Sequence, residues 1–351
     1  MRYFQVRPFC NSERSLLKRA IGSFLGLTAA FLMPELPDSI HPVAAFGRLM
    51  QRLERSIYPS NVGQVNSDTG PTTSAIKLTK SSSCSLKYRG VAYNLVGILG
   101  SIALGYLFEE LSPFASTIMF LEVTAAPKAL YQIAGEIGND LVNGNVDRAR
   151  TKIRGLVSRD TKSLQPDDII RASIESVAEN TVDAITAPLF YAITVGPAGV
   201  LAYRAVNTLD AMVGYRNERY REFGWFSARL DDMANWVPAR ITIIAVALTR
   251  PAMSLDILRH AYRHGADHPS PNAGRVEAAF AYALGVKLGG MSSYDGEMTE
   301  RPVVGRGDDP NEQDIERAIE LSVIASIISA ALIVSVAMGF VYLRGYFCNG
   351  S

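Results

Sequence analysis

The sequence predicts an all-α, polytopic membrane protein. It is expected to be a helical bundle with a large motif-bearing helical region between its third and last spans. Three observations carry that prediction. Residues 321–343 run 23 positions without a charge, long enough to cross a bilayer. Shorter uncharged runs recur at 20–33 and 90–108. Between residues 172 and 235, Glu, Asp, Asn and Arg interrupt apolar sequence again and again at helical spacing. A plain span would exclude those groups, and a solvated helix would collect them on one face.

The elements follow in order. Arg2, Arg7, Arg14, Lys18 and Arg19 precede the uncharged run 20–33. Pro34, Glu35 and Pro37 follow it where a cleavage site would need small residues, so a retained membrane helix near 20–34 is expected. It is short for a perpendicular span and gains length by drawing Lys18 or Arg19 toward the interface. His41 stands before Pro42, the pattern of a helix start, and Arg48, Arg52 and Arg55 then share a helix with Leu49 and Leu53. Residues 59–86 are rich in Ser, Thr, Asn, Gly and Pro and predict a mobile loop, because they offer little apolar surface to offset ordering entropy. Residues 90–108 and 112–127 are the next two spans, and Pro127 ends the second. These elements form an N-terminal membrane region, 1–127.

A helical region, 128–319, comes next. Leu130, Ile133, Ala134, Ile137 and Leu141 mark one face of a helix over 128–141, and Asn143-Gly144-Asn145 breaks it. A basic helix over 146–157 leads to the polar turn 158–161. Pro166 opens the helix that carries the first acidic stripe. The apolar run after Pro188 is broken by Gly196-Pro197, and the polar motifs on either side must converge on one site, so 184–203 is expected to be a hairpin rather than one crossing. Residues 237–249 are too short for an ordinary span. A helix over 256–264, a Pro-rich loop at 268–274, a helix over 275–284 and a loop over 289–313 complete the region. The C-terminal span and tail, 320–351, give about four spans in all. The positive-inside rule places 41–89 and 128–319 in the cytoplasm, whereas the N-terminal basic cluster argues for the opposite orientation.

Composition excludes several classes. A net charge of +1 gives no electrostatic footprint for nucleic acid. Cys10, Cys84 and Cys348 are scattered, with neither disulfide nor zinc spacing. No Walker or Rossmann glycine motif is present, so a nucleotide would need another cradle.

The chemistry concentrates in three polar stripes. Glu175, Glu179 and Asp183 stand at i, i+4 and i+8, with Ser176 and Asn180 beside them. Like charges at that spacing destabilise a helix, so a cation must face them: Arg171, Arg204 or a divalent metal with oxygen ligands. Tyr203, Arg204, Asn207 and Asp210 form the second stripe, continued by Tyr215, Arg216, Asn217, Glu218 and Arg219. Arg229, Asp231, Asp232 and Asn235 form the third. Ordinary ion pairs on a solvated face would explain any one stripe, but not three within apolar sequence.

The segments ESVAENTVDAITAPLFY, AYRAVNTLDAMVGYRNERY, FGWFSARLDDMANWVPAR and HPSPNAG closely resemble the CobD/CbiB family of cobalamin biosynthesis. So do HPVAAFGRLM, VSRDTKSL, LGVKLGG and ERPVVG. The resemblance covers most of the chain. It implies adenosylcobinamide-phosphate synthase activity: adenosylcobyric acid joined through an amide to (R)-1-amino-2-propanol O-2-phosphate, or to free aminopropanol, with ATP and Mg²⁺. The apolar runs and the positive-inside rule predict a multi-pass protein of the cell membrane, in contact with lipid, with a cytoplasmic active site. A homo-oligomer or a complex with other corrinoid enzymes stays open. One departure stands out. Family members usually carry an aspartate within the first apolar segment; here 20–33 holds no acid, and Glu35 and Asp38 follow it.

On this reading Glu175, Glu179, Asp183 and Asp232 are assigned to catalysis, and Glu175, Glu179, Asp183 and Asp231 to the metal. Arg159, Arg204, Arg216 and Arg219 would take phosphate or carboxylate, and Asn180, Asn207 and Asn235 would orient ligands. His268, Ser270 and Asn272 would close the site. His41, Arg48, Asp160, Thr161, Asp210 and Asn217 complete the substrate-binding set. Two other classes remain open. The segments 207–210 and 231–235 are similar to the Asp/Asn-rich Mg-diphosphate motifs of intramembrane prenyltransferases. The Gly196-Pro197 break with intramembrane charge would also suit a non-enzymatic corrinoid carrier or scaffold.

Overall fold

A computed structural model describes residues 7–32, 37, 39, 41–58, 80–125, 127–157, 160–215, 217–294 and 297–349. Fourteen helices and one hairpin follow in order among them. These are α1 (Arg7–Leu32), α2 (Pro42–Ile57), α3 (Lys80–Leu111), α4 (Pro113–Thr124), α5 (Pro127–Val142), α6 (Val146–Ile153) and α7 (Pro166–Asn180). After a π-helical turn, Thr181–Thr186, come α8 (Ala187–Thr194), α9 (Pro197–Val213), α10 (Trp225–Ala234), α11 (Trp236–Leu248), α12 (Ser254–His264) and α13 (Ala273–Leu284). The strands β1 (Lys287–Tyr294) and β2 (Glu297–Gly305) precede α14 (Glu312–Asn349).

Two of these helices are long and apolar enough to cross a membrane: Ser83–Leu111 within α3 and Glu312–Leu343 within α14. A third would be α11 with the segment Pro251–His264, if that pair, bent by 114°, counts as one span. Of the four spans read from the sequence, two therefore stand on length and composition. The one expected near 112–127 is the 12-residue α4, about 18 Å long and short of a bilayer core. The one near 20–34 is α1, described to Leu32, which packs along α4. Gly26 permits that approach, since a Cβ there would lie 2.9 Å from the Ile118 carbonyl oxygen.

Two more expectations change. The loop 59–86 falls mostly outside the described residues, but from Lys80 onward the chain is already α3. Its Leu86 is buried, so tertiary packing overrides the weak helix propensity of the serines. The region 289–313 is not simply a loop, and the chain is not wholly α. β1 and β2 pair antiparallel, with Gly290 opposite Arg301 and a bulge between Leu288 and Gly290. Gly289 and Gly290 adopt φ of +89° and +87°, which a side-chain-bearing residue rarely does.

The main core lies where α7, α11, α13 and α14 meet, around Ile174, Val177, Ile243, Val246, Phe280 and Ile315. α7 starts on Pro166, and the Gln165 N–H donates to Asp168 Oδ2 (3.1 Å) across the first turn. Its middle is buried on every side from Ala172 to Ala178, so the acidic residues it carries must find partners inside. α8 and α9 meet at Gly196, whose φ of +96° lets the chain turn before Pro197 starts α9. A smaller cluster of Met50, Tyr93, Leu209, Val213 and Phe223 ties α2 and α3 to the far end of α9.

Candidate active site

The π turn after Asn180 sets Asp183 against α9, within electrostatic reach of Asp210 and Asp231. Such a turn widens the helix and changes the register of everything beyond it. Asp183 therefore turns from the α7 stripe toward α9, where Asn207 Nδ2 donates to its Oδ2 (3.2 Å). Arg204 Nη1 donates to Asn207 Oδ1 (3.2 Å), which fixes that amide. Asn235 Nδ2 donates to Asp231 Oδ2 (3.0 Å), and the Tyr203 hydroxyl donates to Asn235 Oδ1 (2.9 Å). Tyr203 stacks on Tyr191, with ring centroids 5.2 Å apart, so this row has a rigid backing.

Asp183, Asp210 and Asp231 crowd one another, and each has its carboxyl pushed up. Burial is the largest cause in all three, and Asp231 raises both Asp183 and Asp210. Asp210 reaches about 7 and Asp231 about 6, while Asp183 stands well above the ordinary 3.8. Oδ1 of Asp210, Oδ1 of Asp231 and Nε of Arg204 are buried without a hydrogen-bond partner. Buried polar atoms of that kind are uncommon and mark a place for water or an ion. The donor set is hard oxygen, which suits Mg²⁺, an ion that takes one or two protein carboxylates and completes its shell with water and phosphates. Among the described residues no three His, Cys, Asp or Glu side chains converge closely enough to hold a metal by themselves. Arg204 also lines a small cavity of about 170 Å³ with Pro42, Val43, Phe46, Leu104 and Thr208.

Glu175 faces elsewhere. Its Oε2 accepts from Arg301 Nη1 (2.9 Å) and its Oε1 from the Gly289 N–H (2.9 Å). Arg301 Nη2 also donates to both oxygens of Glu277 (2.9 and 2.7 Å) and to His268 Nε2 (2.5 Å). His268 Nδ1 lies 3.0 Å from the Ser270 backbone nitrogen and 3.1 Å from the Ser270 carbonyl oxygen, which fixes the ring at the head of the loop before α13. The cation expected opposite the α7 stripe is therefore Arg301 of β2. Arg171 instead pairs with Asp168. Glu277 is pushed up to about 8, chiefly by burial, against the pull of Arg301. Glu179 is exposed between the two groups, and its charge raises Asp183, Asp210, Asp231 and Glu277 alike.

The other expected residues fall into three sets. Asn272 joins the acidic centre: it is buried, and its Nδ2 donates to the Asp232 carbonyl (2.7 Å). Ser270 Oγ accepts from the Ala273 N–H at the start of α13 (3.3 Å). Asn180 is held on its own helix by Ser176 O (2.9 Å). A second set makes contacts close by in the chain or across to the neighbouring helix. His41 Nδ1 accepts from the Val43 N–H (3.2 Å) and caps α2, and Arg48 donates to the Ser39 carbonyl (3.2 Å). Asp160 accepts from the Lys162 N–H, Thr161 Oγ1 from Arg154 Nε, and Asn217 from the Tyr220 N–H, each at 3.1 Å. Arg219 pairs with the buried Glu54 (2.9 Å) over the rings of Tyr58 and Tyr220, holding α2 to the turn before α10. The third set, Arg159 and Arg216, lies outside the described residues, as do Glu35 and Asp38.

Sequence reasoning missed Arg301 and Glu277. Glu277 left a signal, a lone carboxylate among the alanines of VEAAFAYAL. Arg301 sat inside ERPVVG, but its partners lie 24 and 126 residues away and no local pattern announces them.

Fold and site together define a largely helical protein with membrane-length apolar helices and a buried acidic centre. A family model described as CobD/Cbib protein matches residues 23–322, and the chain belongs to that family. A Mycobacterium tuberculosis relative named cobalamin biosynthesis protein CobD is 38 % identical over 319 residues, 90 % of this chain and 95 % of its own. A CobD of Leptospira interrogans is 35 % identical over 342 residues, 92 % of this chain and 98 % of its own. Salmonella typhimurium cobalamin biosynthesis protein CbiB is 38 % identical over 244 residues, 68 % and 76 % respectively. No solved structure matches the chain.

Proposed function

We propose that this chain is a multi-pass membrane enzyme of cobalamin biosynthesis. It would join adenosylcobyric acid to (R)-1-amino-2-propanol O-2-phosphate, or to aminopropanol, through an amide bond. The observation that carries this reading is the acidic centre itself: buried aspartate oxygens without donors, set among segments the family shares. A cytoplasmic site on a protein of about four spans follows the basic residues of 41–89 and 128–319, against the N-terminal basic cluster. The membrane placement draws on the exposed apolar side chains of Leu99, Leu107, Ile327 and Val336 on the two longest helices.

ATP with Mg²⁺ would supply the phosphoryl group that makes an unreactive carboxylate an acylating agent. Asp183 and Asp231 would hold the metal, with Asn207 and Asn235 fixing their orientation. Asp210, pushed up to about 7 and with Oδ1 free of donors, is suited to take the proton the amine gives up. Arg204 would hold an anionic end of a substrate through its unpartnered Nε.

The test uses the full chain in detergent with Mg²⁺, adenosylcobyric acid and the amino-alcohol phosphate, with and without ATP, read by mass spectrometry. An ATP-dependent mass gain of one condensed amino alcohol is expected. Corrinoid binding without product would favour a carrier. Turnover of a polyprenyl diphosphate without ATP would favour prenyl transfer. Glu179→Gln keeps the size and removes the charge; activity within a few-fold of wild type would take Glu179 out of the catalytic set.

A further inference from the structure

Two arginines outside every set considered so far stand side by side without an acid. Arg240, on α11, donates from Nη1 to Asn272 Oδ1 (2.5 Å) and to the Trp236 carbonyl (3.1 Å). Arg275, in the first turn of α13, donates from Nη1 to the Pro271 carbonyl (2.5 Å). Their anchors are consecutive residues of one loop, and the two guanidinium charges repel each other. Among the described residues neither has a carboxylate partner, whereas Arg19, Arg219 and Arg301 each face one. Arg275 Nε is buried and has no hydrogen-bond partner at all.

Aromatic rings hold both groups in place. The Arg240 guanidinium lies 4.6 Å from the Trp236 ring centre, and that of Arg275 lies 5.8 Å from the Tyr262 ring. Stacking fixes the plane of a guanidinium and leaves its N–H edge for a planar or tetrahedral anion. The rings are 56 % and 46 % exposed, so the pair is reached from outside. Asn272 bridges from Arg240 to the Asp232 carbonyl, which sets the cations against the acidic centre.

We infer that Arg240 and Arg275 form a binding site for phosphate groups. Two like charges held together and left without an acid need an anion, and phosphate oxygens accept from two such forks at once. The ligand is either a soluble polyphosphate such as that of a nucleotide or the headgroup of an anionic lipid. The inference concerns binding alone and goes beyond the amide-forming reaction.

Isothermal titration of the full chain in detergent, without Mg²⁺, tests it. The probes are inorganic tripolyphosphate, ATP, and mixed micelles of phosphatidic acid against phosphatidylcholine. Binding should weaken about tenfold in Arg240→Gln and in Arg275→Gln, and less in the lysine variants, which keep the charge. Tripolyphosphate and ATP binding with that dependence identifies a soluble ligand, and phosphatidic acid binding alone with the same dependence identifies a lipid. Binding that the glutamine variants leave unchanged, or no binding of any probe, overturns the inference. Should the variants fail to fold, hydrogen exchange on the wild type decides. The bound probe should slow exchange at Pro271–Val276, and no slowing there overturns the site. Arginine-dependent binding by a protein that makes no amide product would sink the reaction and leave the site standing.

Discussion

Asp183 in the π turn, Asp210 on α9 and Asp231 on α10 leave two oxygens unpartnered, whereas Glu175 and Glu277 share one arginine and leave almost nothing to accept. All five are acids in one bundle, and Glu175 and Asp183 belong to the same stripe of the sequence. The difference lies in what faces them. Glu175 and Glu277 share the Arg301 guanidinium, and Glu175 also takes the Gly289 N–H, so their oxygens are satisfied inside the fold. The aspartates meet amides and one another, so two of their oxygens are left without a donor. Residue type and spacing identify an acidic stripe; the opposing partner decides which of its members are satisfied within the fold and which are left open.

Arg301→Met breaks that contrast most severely. It strands two buried carboxylates, and removing one member of a buried ionic group costs about 3–5 kcal/mol. A thermal melt in detergent should show a large fall or no folded protein. Replacing Glu175 and Glu277 by leucine in the same chain should recover most of the loss, since the whole group, unlike a stranded half, can be exchanged for apolar volume. The second effect falls on activity. Asp231→Asn should lower turnover about a hundredfold or more while the melting temperature holds or rises, because a repelled carboxylate has been neutralised. A melt as depressed as that of Arg301→Met would show that the aspartates are structural too.

Much of this was legible, and the failures have physical causes. The i, i+4 spacing of Glu175 and Glu179 follows from helix geometry and appears in any reading of 172–180. Asp183 left that register because the turn at Thr181–Thr186 is π-helical, which local sequence does not announce. The hairpin escaped because Gly289, Gly290 and Pro302 spoil the alternating pattern of its strands. Arg301 therefore sat in an apparent loop, with its partners on α7 and α13. Residues 80–86 read as loop from their serines, yet Leu86 packs inward and extends α3.

A third effect is pH dependence. Asp210 and Asp231 titrate near 7 and 6 in the folded chain and near 3.8 when unfolded. Between those values the folded state binds more protons, so stability is fully present below about pH 4 and is lost as pH rises through 6 to 7. Melting temperatures of the ligand-free protein from pH 4.5 to 8 should fall, and Asp210→Asn should flatten the slope. Mg²⁺ at pH 8 should restore part of the loss if the aspartates accept a cation. A profile that Asp210→Asn leaves unchanged would place the titration elsewhere.

The smallest change tests how the open centre is kept in order. Tyr203→Phe removes one hydroxyl, which donates to Asn235 and so steadies the amide on Asp231. The ring and its stacking on Tyr191 remain. One neutral hydrogen bond contributes about 0.5–1.5 kcal/mol. If it served the fold alone, the melt would drop by that amount with turnover unchanged. If it sets the direction of Asp231, turnover should fall several-fold with a nearly constant melt, and more Mg²⁺ should be needed for half-maximal activity. That split separates the two regions again. Near Arg301 a lost hydrogen bond should register in stability, and near the aspartates it should register in turnover.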